Sequence, residues 1–138
     1  MVYEIFKEFR FEAAHRLMRN YTGKCTNNHG HSWLVRVHLQ GNSLDDKDML
    51  IDFKDVKVLK QWIDDQLDHA TILWEEDPMI SYIRQSGQRL FITKKNPTSE
   101  HIAEIILDQA IHHFQNERIR VVCVEVNETC TTGAKLYQ

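Results

Sequence analysis

Apolar and charged residues interleave along the first fifteen positions. Ile5, Phe9, Phe11 and Ala13 are odd-numbered, while Glu4, Lys7, Glu8 and Arg10 are charged. Successive side chains of a strand point to opposite faces, so this pattern predicts a strand over residues 3–15 with one buried face. Residues 21–28 read as a polar loop. Alternation returns over residues 29–39, where Trp33, Val35, Val37 and Leu39 share a face. A turn at 41–43 and a short apolar patch at 49–51 follow. Asp52 can cap a helix in which Phe53, Val56, Leu59, Ile63 and Leu67 recur at helical spacing. That stripe stops just before Asp68 and His69. Residues 75–96 show no clear period beyond a short strand around 90–92. A second helix starts within 97–100. Thr98 or Ser99 can cap it, and Glu100 lies in the first turn, where the helix dipole favours an acid. Ile102, Ile105, Ile106, Ala110 and Phe114 form its buried face. A last strand is expected over residues 119–129, with Val122, Val124, Val126 and Glu128 on one side. Two helices and about four strands, with hairpin-like early connections, predict an α+β fold with an antiparallel sheet, in one domain spanning 1–138.

Composition narrows the function classes. The chain has 138 residues, 42% hydrophobic and 27% charged, the profile of a globular protein with a real core. A net charge of −3 gives no global basic field, and no local basic stripe suggests nucleic acid as a partner. The N-terminus lacks the basic start and apolar run of a signal peptide, and no apolar stretch could span a bilayer. The cytoplasm is therefore the expected location, and a membrane is not an expected partner. Three cysteines, Cys25, Cys123 and Cys130, are too few and odd in number for a disulfide scaffold.

The eight histidines change the picture. Residues two apart on a strand face the same side, so His29 and His31 can converge on one ion, with no side chain at Gly30 between them. His15 ends the first strand in phase with Phe11 and Ala13. Paired strands lie about 4.8 Å apart, so His15 completes a trio if the two strands pair. Three neutral histidines with an open fourth position are a usual ligand set for catalytic zinc, and imidazole also suits copper, nickel or iron. His-x-His alone is a common chance pattern in a histidine-rich chain; the third, in-phase histidine is what lifts it. Cys25, four residues before His29, has three readings: a fourth ligand that closes the site, a thiolate base or nucleophile beside the metal, or an inert loop thiol. Asp68 beside His69 can fix an imidazole tautomer for proton transfer, or simply end a helix favourably. Glu128 is either a solvated residue past the strand end or a buried acceptor for an amidine-like pair of N–H groups. His38, His101, His112 and His113 have no partner pattern and read as surface or helix-face residues.

Six motifs occur in order: Phe11-Glu12-Ala13-Ala14-His15, Cys25-x-x-x-His29-Gly30-His31, Ile51-Asp52-Phe53, Leu67-Asp68-His69, Pro97-Thr98-Ser99-Glu100 and Glu128-Thr129-Cys130-Thr131. Together they resemble the 6-pyruvoyltetrahydropterin synthase family, most closely its bacterial branch, the 6-carboxytetrahydropterin synthases. The resemblance runs from about Phe6 to Tyr137. It implies the tunnelling fold: an antiparallel four-stranded sheet with two helices on one face, whose copies join sheets into a barrel, trimer-based and often hexameric, with active sites between subunits. It implies that 7,8-dihydroneopterin triphosphate is converted to 6-carboxy-5,6,7,8-tetrahydropterin, acetaldehyde and triphosphate, on the route to queuosine and other 7-deazaguanines. Matched by position, His15, His29 and His31 would hold zinc, Cys25 would be the general base or proton shuttle, and His69, oriented by Asp68, its counterpart. Glu128 would anchor the pterin, with Thr129 nearby.

The four-residue step from Cys25 to His29 favours the carboxy branch over the animal pyruvoyl-forming enzymes, which typically carry an insertion there. Residues 75–96 are longer than in the most compact members. No basic cluster marks a triphosphate site; Arg16, Arg19, Lys24, Lys94 and Lys95 are the candidates. The sister pyruvoyl-forming reaction, a folate-type side-chain cleavage, and a zinc- or pterin-binding protein without turnover are the alternatives.

Overall fold

A computed structural model describes residues 1–138. Strand β1 (Tyr3–His15) lies antiparallel to β2 (His29–Gly41), in register from Tyr3 opposite Gly41 to His15 opposite His29. β2 also pairs antiparallel with β5 (Arg120–Asn127), and β5 with β6 (Gly133–Tyr137). Between β2 and β5 the chain forms helix α1 (Phe53–Gln66), strand β3 (Ala70–Trp74), helix α2 (Met79–Gln85), strand β4 (Leu90–Thr93) and helix α3 (Ser99–Phe114). β3 runs parallel to β1, and β4 parallel to β3. The strand order is β4-β3-β1-β2-β5-β6.

The α+β reading holds, but the expected four-stranded antiparallel sheet with two helices is corrected to six strands in a mixed sheet with three helices. Neighbours among β1, β2, β5 and β6 pair antiparallel; β3 and β4 add a parallel edge. The missed elements have physical reasons. In β3, Ala70 to Leu73 are all buried, so both faces are apolar and no alternation marks the strand. α2 lets the chain cross over between parallel strands and buries only Ile80, too little to write a stripe. β6 is a short edge strand beginning at a glycine. The last long strand ends at Asn127, short of the expected 129.

α1 and α3 begin where capping chemistry places them. The Asp52 side chain accepts from the Lys54 N–H, and the Thr98 side chain from the His101 N–H. Their apolar stripes bury Val56, Leu59, Ile63, Ile102, Ile106 and Ala110 against the odd-numbered face of β1 and β2, including Phe9, Phe11, Trp33, Val35 and Val37. Each fully buried side chain of this kind contributes about 1.5–3 kcal/mol. The other sheet face is polar. There Glu8 pairs with Arg36, and His38 bridges Glu4 at 2.9 Å and Glu125 at 2.6 Å. His38 was expected to lack a partner. It gains two because β1 and β5 flank β2 and bring distant acids beside it.

Parity along β5 also departs from expectation. The register shifts at His38 and Leu39, so Leu39 faces Val121 while Val37 faces Val124. Val122 is the residue left over, and Val121, not Val122, shares the buried face with Val124 and Val126.

Candidate active site

The β1–β2 register brings the three histidines together. His15 pairs directly with His29, and Ala13 with His31, so all three side chains rise from one face at the end of the hairpin. Their rings lie 4.7 to 5.1 Å apart between centroids. One ligand nitrogen from each can be chosen so that all lie within 4.8 Å of one another. Trp33, fully buried and in phase with His31, forms the floor. Its ring meets His15 edge-on at 4.9 Å and His31 at 5.4 Å, and its indole N–H donates to the Ala13 carbonyl at 3.1 Å.

The donor set fits a metal ion. His15 is 1% exposed, and its Nδ1 lies 2.7 Å from the Pro97 carbonyl oxygen. A carbonyl only accepts, so Nδ1 carries the proton and Nε2 presents a lone pair. His29 repeats the arrangement, with Nδ1 2.7 Å from the Asn27 carbonyl oxygen. The Nε2 atoms of His15 and His31 are buried and without any hydrogen-bond partner. Two orphaned nitrogens at one point are costly unless something ligates them. Burial pushes both His15 and His31 below the ordinary imidazole value of 6.5, against the opposing pull of Glu128 on each. The neutral form that a metal requires is thus favoured.

Glu128 follows β5 on the histidine side. Its Oε2 lies 3.8 Å from His31 Nε2, and its Oε1 accepts from the Ser99 hydroxyl at 2.8 Å. The acid is therefore half-buried at the mouth of the cluster and held by the first residue of α3. Thr129 lies beyond it in the β5–β6 turn, where its hydroxyl is 2.7 Å from that of Thr132 and accepts from the Thr132 N–H at 3.1 Å.

Cys25 sits half-buried on a short 3₁₀ turn, Lys24–Thr26. Its carbonyl accepts from the Leu17 N–H at 2.8 Å, tying the loop to the residues just after His15. It is not among the converging ligand atoms. All three cysteines are free.

Asp68 and His69 are built at a different place. His69 has φ +59°, the left-handed region that rarely holds a residue with a side chain. Its N–H donates to the Glu12 carbonyl at 2.6 Å, and Asp68 Oδ1 accepts from the Glu12 N–H at 2.9 Å, so the pair is clamped to β1. His69 Nδ1 lies 2.7 Å from Asp68 Oδ2. Burial alone would raise the Asp68 carboxyl, but hydrogen bonds from Glu12 and His69 hold it below the ordinary 3.8. Ala70 pairs with Ala13, which puts His69 level with Glu12, one residue out of step with the histidine cluster. It lines an open cavity of about 430 Å³ with Glu12, Gly30, His31, Ser32 and Thr71, and its side chain is 76% exposed. His69 thus shares a cavity with His31 but is not one of the converging ligand residues.

Among the basic candidates, Arg16 is committed to Asp77 at 2.5 and 2.8 Å, and Lys95 to Glu104. His101, expected to be unpartnered, bonds Glu104 at 2.7 Å, one helical turn along. Sequence reasoning missed Trp33, Ser99 and the Pro97 carbonyl as parts of the site. The parity of Trp33 with His31 was a usable signal; a backbone carbonyl leaves none.

Comparison with known proteins supplies the context. Residues 4–138 match the family model for 6-pyruvoyl tetrahydropterin synthase. A 6-carboxy-5,6,7,8-tetrahydropterin synthase of Rickettsia conorii is 32% identical, covering 96% of this chain and 91% of its own length. The protein of that name from Aquifex aeolicus is 30% identical, covering 98% of each. Among solved structures, an uncharacterized protein from Wolinella succinogenes superposes with a TM-score of 0.88 at 26% identity, over 100% of this chain and 99% of its own. The 6-pyruvoyl tetrahydropterin synthase of Plasmodium vivax superposes with a TM-score of 0.79 at 20% identity, over 100% and 98%, a likeness of fold.

Proposed function

The chain belongs to the 6-pyruvoyl tetrahydropterin synthase family, and from that premise we propose that it is a zinc-dependent lyase. It converts 7,8-dihydroneopterin triphosphate to 6-carboxy-5,6,7,8-tetrahydropterin, releasing acetaldehyde and triphosphate, in the biosynthesis of queuosine and related 7-deazaguanines. The convergence of His15, His29 and His31, with two orphaned Nε2 atoms, carries the reading. The names of relatives aligned over nearly the whole chain support the carboxy-forming product.

His15, His29 and His31 would hold zinc through neutral imidazoles. The bound ion would supply Lewis-acid polarisation of the substrate's side-chain hydroxyls, acidifying protons on the neighbouring carbons. Cys25 removes such a proton at its Sγ. His69 takes up and returns a proton at Nε2, because its Nδ1–H donates to Asp68 and leaves a lone pair on Nε2. Glu128 receives the N–H edge of the pterin. Ser99 occupies one carboxylate oxygen and so sets the orientation of the other. Thr129 stands beside it.

Because His69 stands 76% exposed in an open cavity that His31 also lines, a neighbouring copy is proposed to close each site there and to supply part of it. The assembly is a homo-oligomer of trimers, with sheets joined into a barrel and sites at the subunit boundaries. Incubation with dihydroneopterin triphosphate tests the reading: 6-carboxytetrahydropterin, acetaldehyde and triphosphate are expected. A 6-pyruvoyl or 6-hydroxymethyl pterin would transfer the chain to a sister reaction. Binding without turnover would leave a non-catalytic pterin protein.

A further inference from the structure

α1 ends with the wrong charge. Asp64, Asp65 and Asp68 crowd a helix C-terminus, where the dipole is negative, and the last turn holds no basic residue of its own. The correction comes from the segment that showed no period in the sequence. Arg89, just before β4, places Nη1 at 2.5 Å from the Asp64 carbonyl oxygen and at 3.2 Å from those of Asp65 and Asp68. One guanidinium nitrogen thus serves three terminal carbonyls that the helix leaves without partners. The Arg89 carbonyl in turn accepts from the Thr71 N–H at 3.0 Å, so the same residue is stitched to β3. Between these two anchor points lie Asp68 and the left-handed His69.

A non-glycine residue at φ +59° is strained by about 1–2 kcal/mol and persists only where its surroundings over-determine it. Glu12 holds the turn from β1, through the Asp68 carboxylate and the His69 N–H. Arg89 holds it from the opposite side, through the carbonyl of Asp68 and those of the last helical turn. We infer that Arg89 is a positioning residue: by capping α1 it fixes the left-handed turn that presents His69, with its Nδ1–H directed to Asp68. The segment 75–96 is then a bracket for the proton-transfer dyad rather than a spacer.

The inference rests on the proposed proton-carrying role of His69, and its test separates the two. The zinc-loaded, full-length protein is compared with Arg89→Gln and Arg89→Lys. Two quantities are measured: kcat and KM on dihydroneopterin triphosphate, and the His69 ring tautomer by ¹⁵N NMR, assigned with His69→Ala. Arg89→Gln is expected to lower kcat about tenfold with KM within about twofold, a partial form of the roughly hundredfold loss that a 1 Å misplacement produces. Its His69 ring should lose the dominance of the Nδ1–H form. Arg89→Lys keeps the charge without the fork and should fall between. An unaltered ring spectrum in Arg89→Gln would overturn the inference whatever happens to kcat. If Arg89→Gln does not fold, Arg89→Lys decides: a spectrum and kcat both at wild-type values would overturn it. Absence of turnover in the wild type refutes the lyase reading alone, because the ring spectrum still reports on positioning.

Discussion

His15 is the most enclosed of the three histidines, held by a carbonyl on one nitrogen and left bare on the other. That asymmetry makes it a ligand in waiting. If the trio holds zinc and Cys25 is the base, His29→Ala should lose the metal, while Cys25→Ala should keep one zinc per chain and lose turnover. Metal analysis beside the activity assay decides; zinc loss in Cys25→Ala would instead make the thiol a fourth ligand. The same burial sets a pH dependence. His15 and His31 titrate below 6.5 in the folded chain, mainly through burial, so the unfolded chain binds more protons below that pH. The stability of the metal-free protein should therefore be full above pH 6.5 and decline as pH falls from 6.5 through the depressed folded values. Zinc affinity should fall in the same direction, because protons compete for the same nitrogens. Urea titrations of the metal-free protein from pH 7.5 to about 5 check the sign; stability rising on acidification would refute it.

At the scale of elements, the irregular stretch between β3 and α3 proves to be tied to the site at several points. Asp77, whose side chain is fully buried, grips Arg16, the residue after His15, and caps the start of α2 by accepting from the Met79 N–H. Asn96 accepts from the Met18 and Arg19 N–H groups. The Pro97 carbonyl accepts a hydrogen bond from the His15 Nδ1–H. Asp77→Ala should destabilise the fold by about 3 kcal/mol, because it strands a largely buried guanidinium. Chemical denaturation measures this, and a loss under about 1 kcal/mol would show Arg16 to be free to turn to solvent. None of these ties was legible in the chain. They join residues dozens of positions apart through single polar contacts that leave no periodicity. The two long helices were legible because each writes an apolar stripe and a cap. β3 was not, because a strand buried on both faces loses its alternation.

At the scale of the molecule, the sheet ends in two unpaired edges, β4 and β6, and carries a polar face rich in ion pairs. Such edges are sites for pairing with another chain. No helix is long and apolar enough to cross a membrane. If a neighbouring copy supplies Asp68 and His69, two inactive variants should rescue each other. Cys25→Ala and His69→Ala, each without turnover, should regain activity when co-expressed as mixed oligomers, since some sites then combine an intact Cys25 with an intact His69. Mixed assemblies, verified by differential tagging, that remain inactive would place all the groups of a site on one chain.

The local code was sufficient for β1, β2, α1 and α3, for the shared phase of His29 and His31, and for the ordered motifs that carry the family resemblance. These depend on residues near one another in sequence, where a period of two or 3.6 dictates which face a side chain takes. Pairing and packing settled the rest. His15 meets His29 only because the hairpin register sets them opposite. Glu128 reaches the cluster because β5 pairs beside β2, with Val126 opposite Val35 and Asn127 opposite Leu34, and because the Ser99 hydroxyl donates to the acid. Asp68 and His69 stand level with Glu12 only because β3 joins β1 in parallel, with Ala70 opposite Ala13. The three-histidine site could be anticipated from spacing; the place of the dyad beside it is a property of sheet register, which no local pattern encodes.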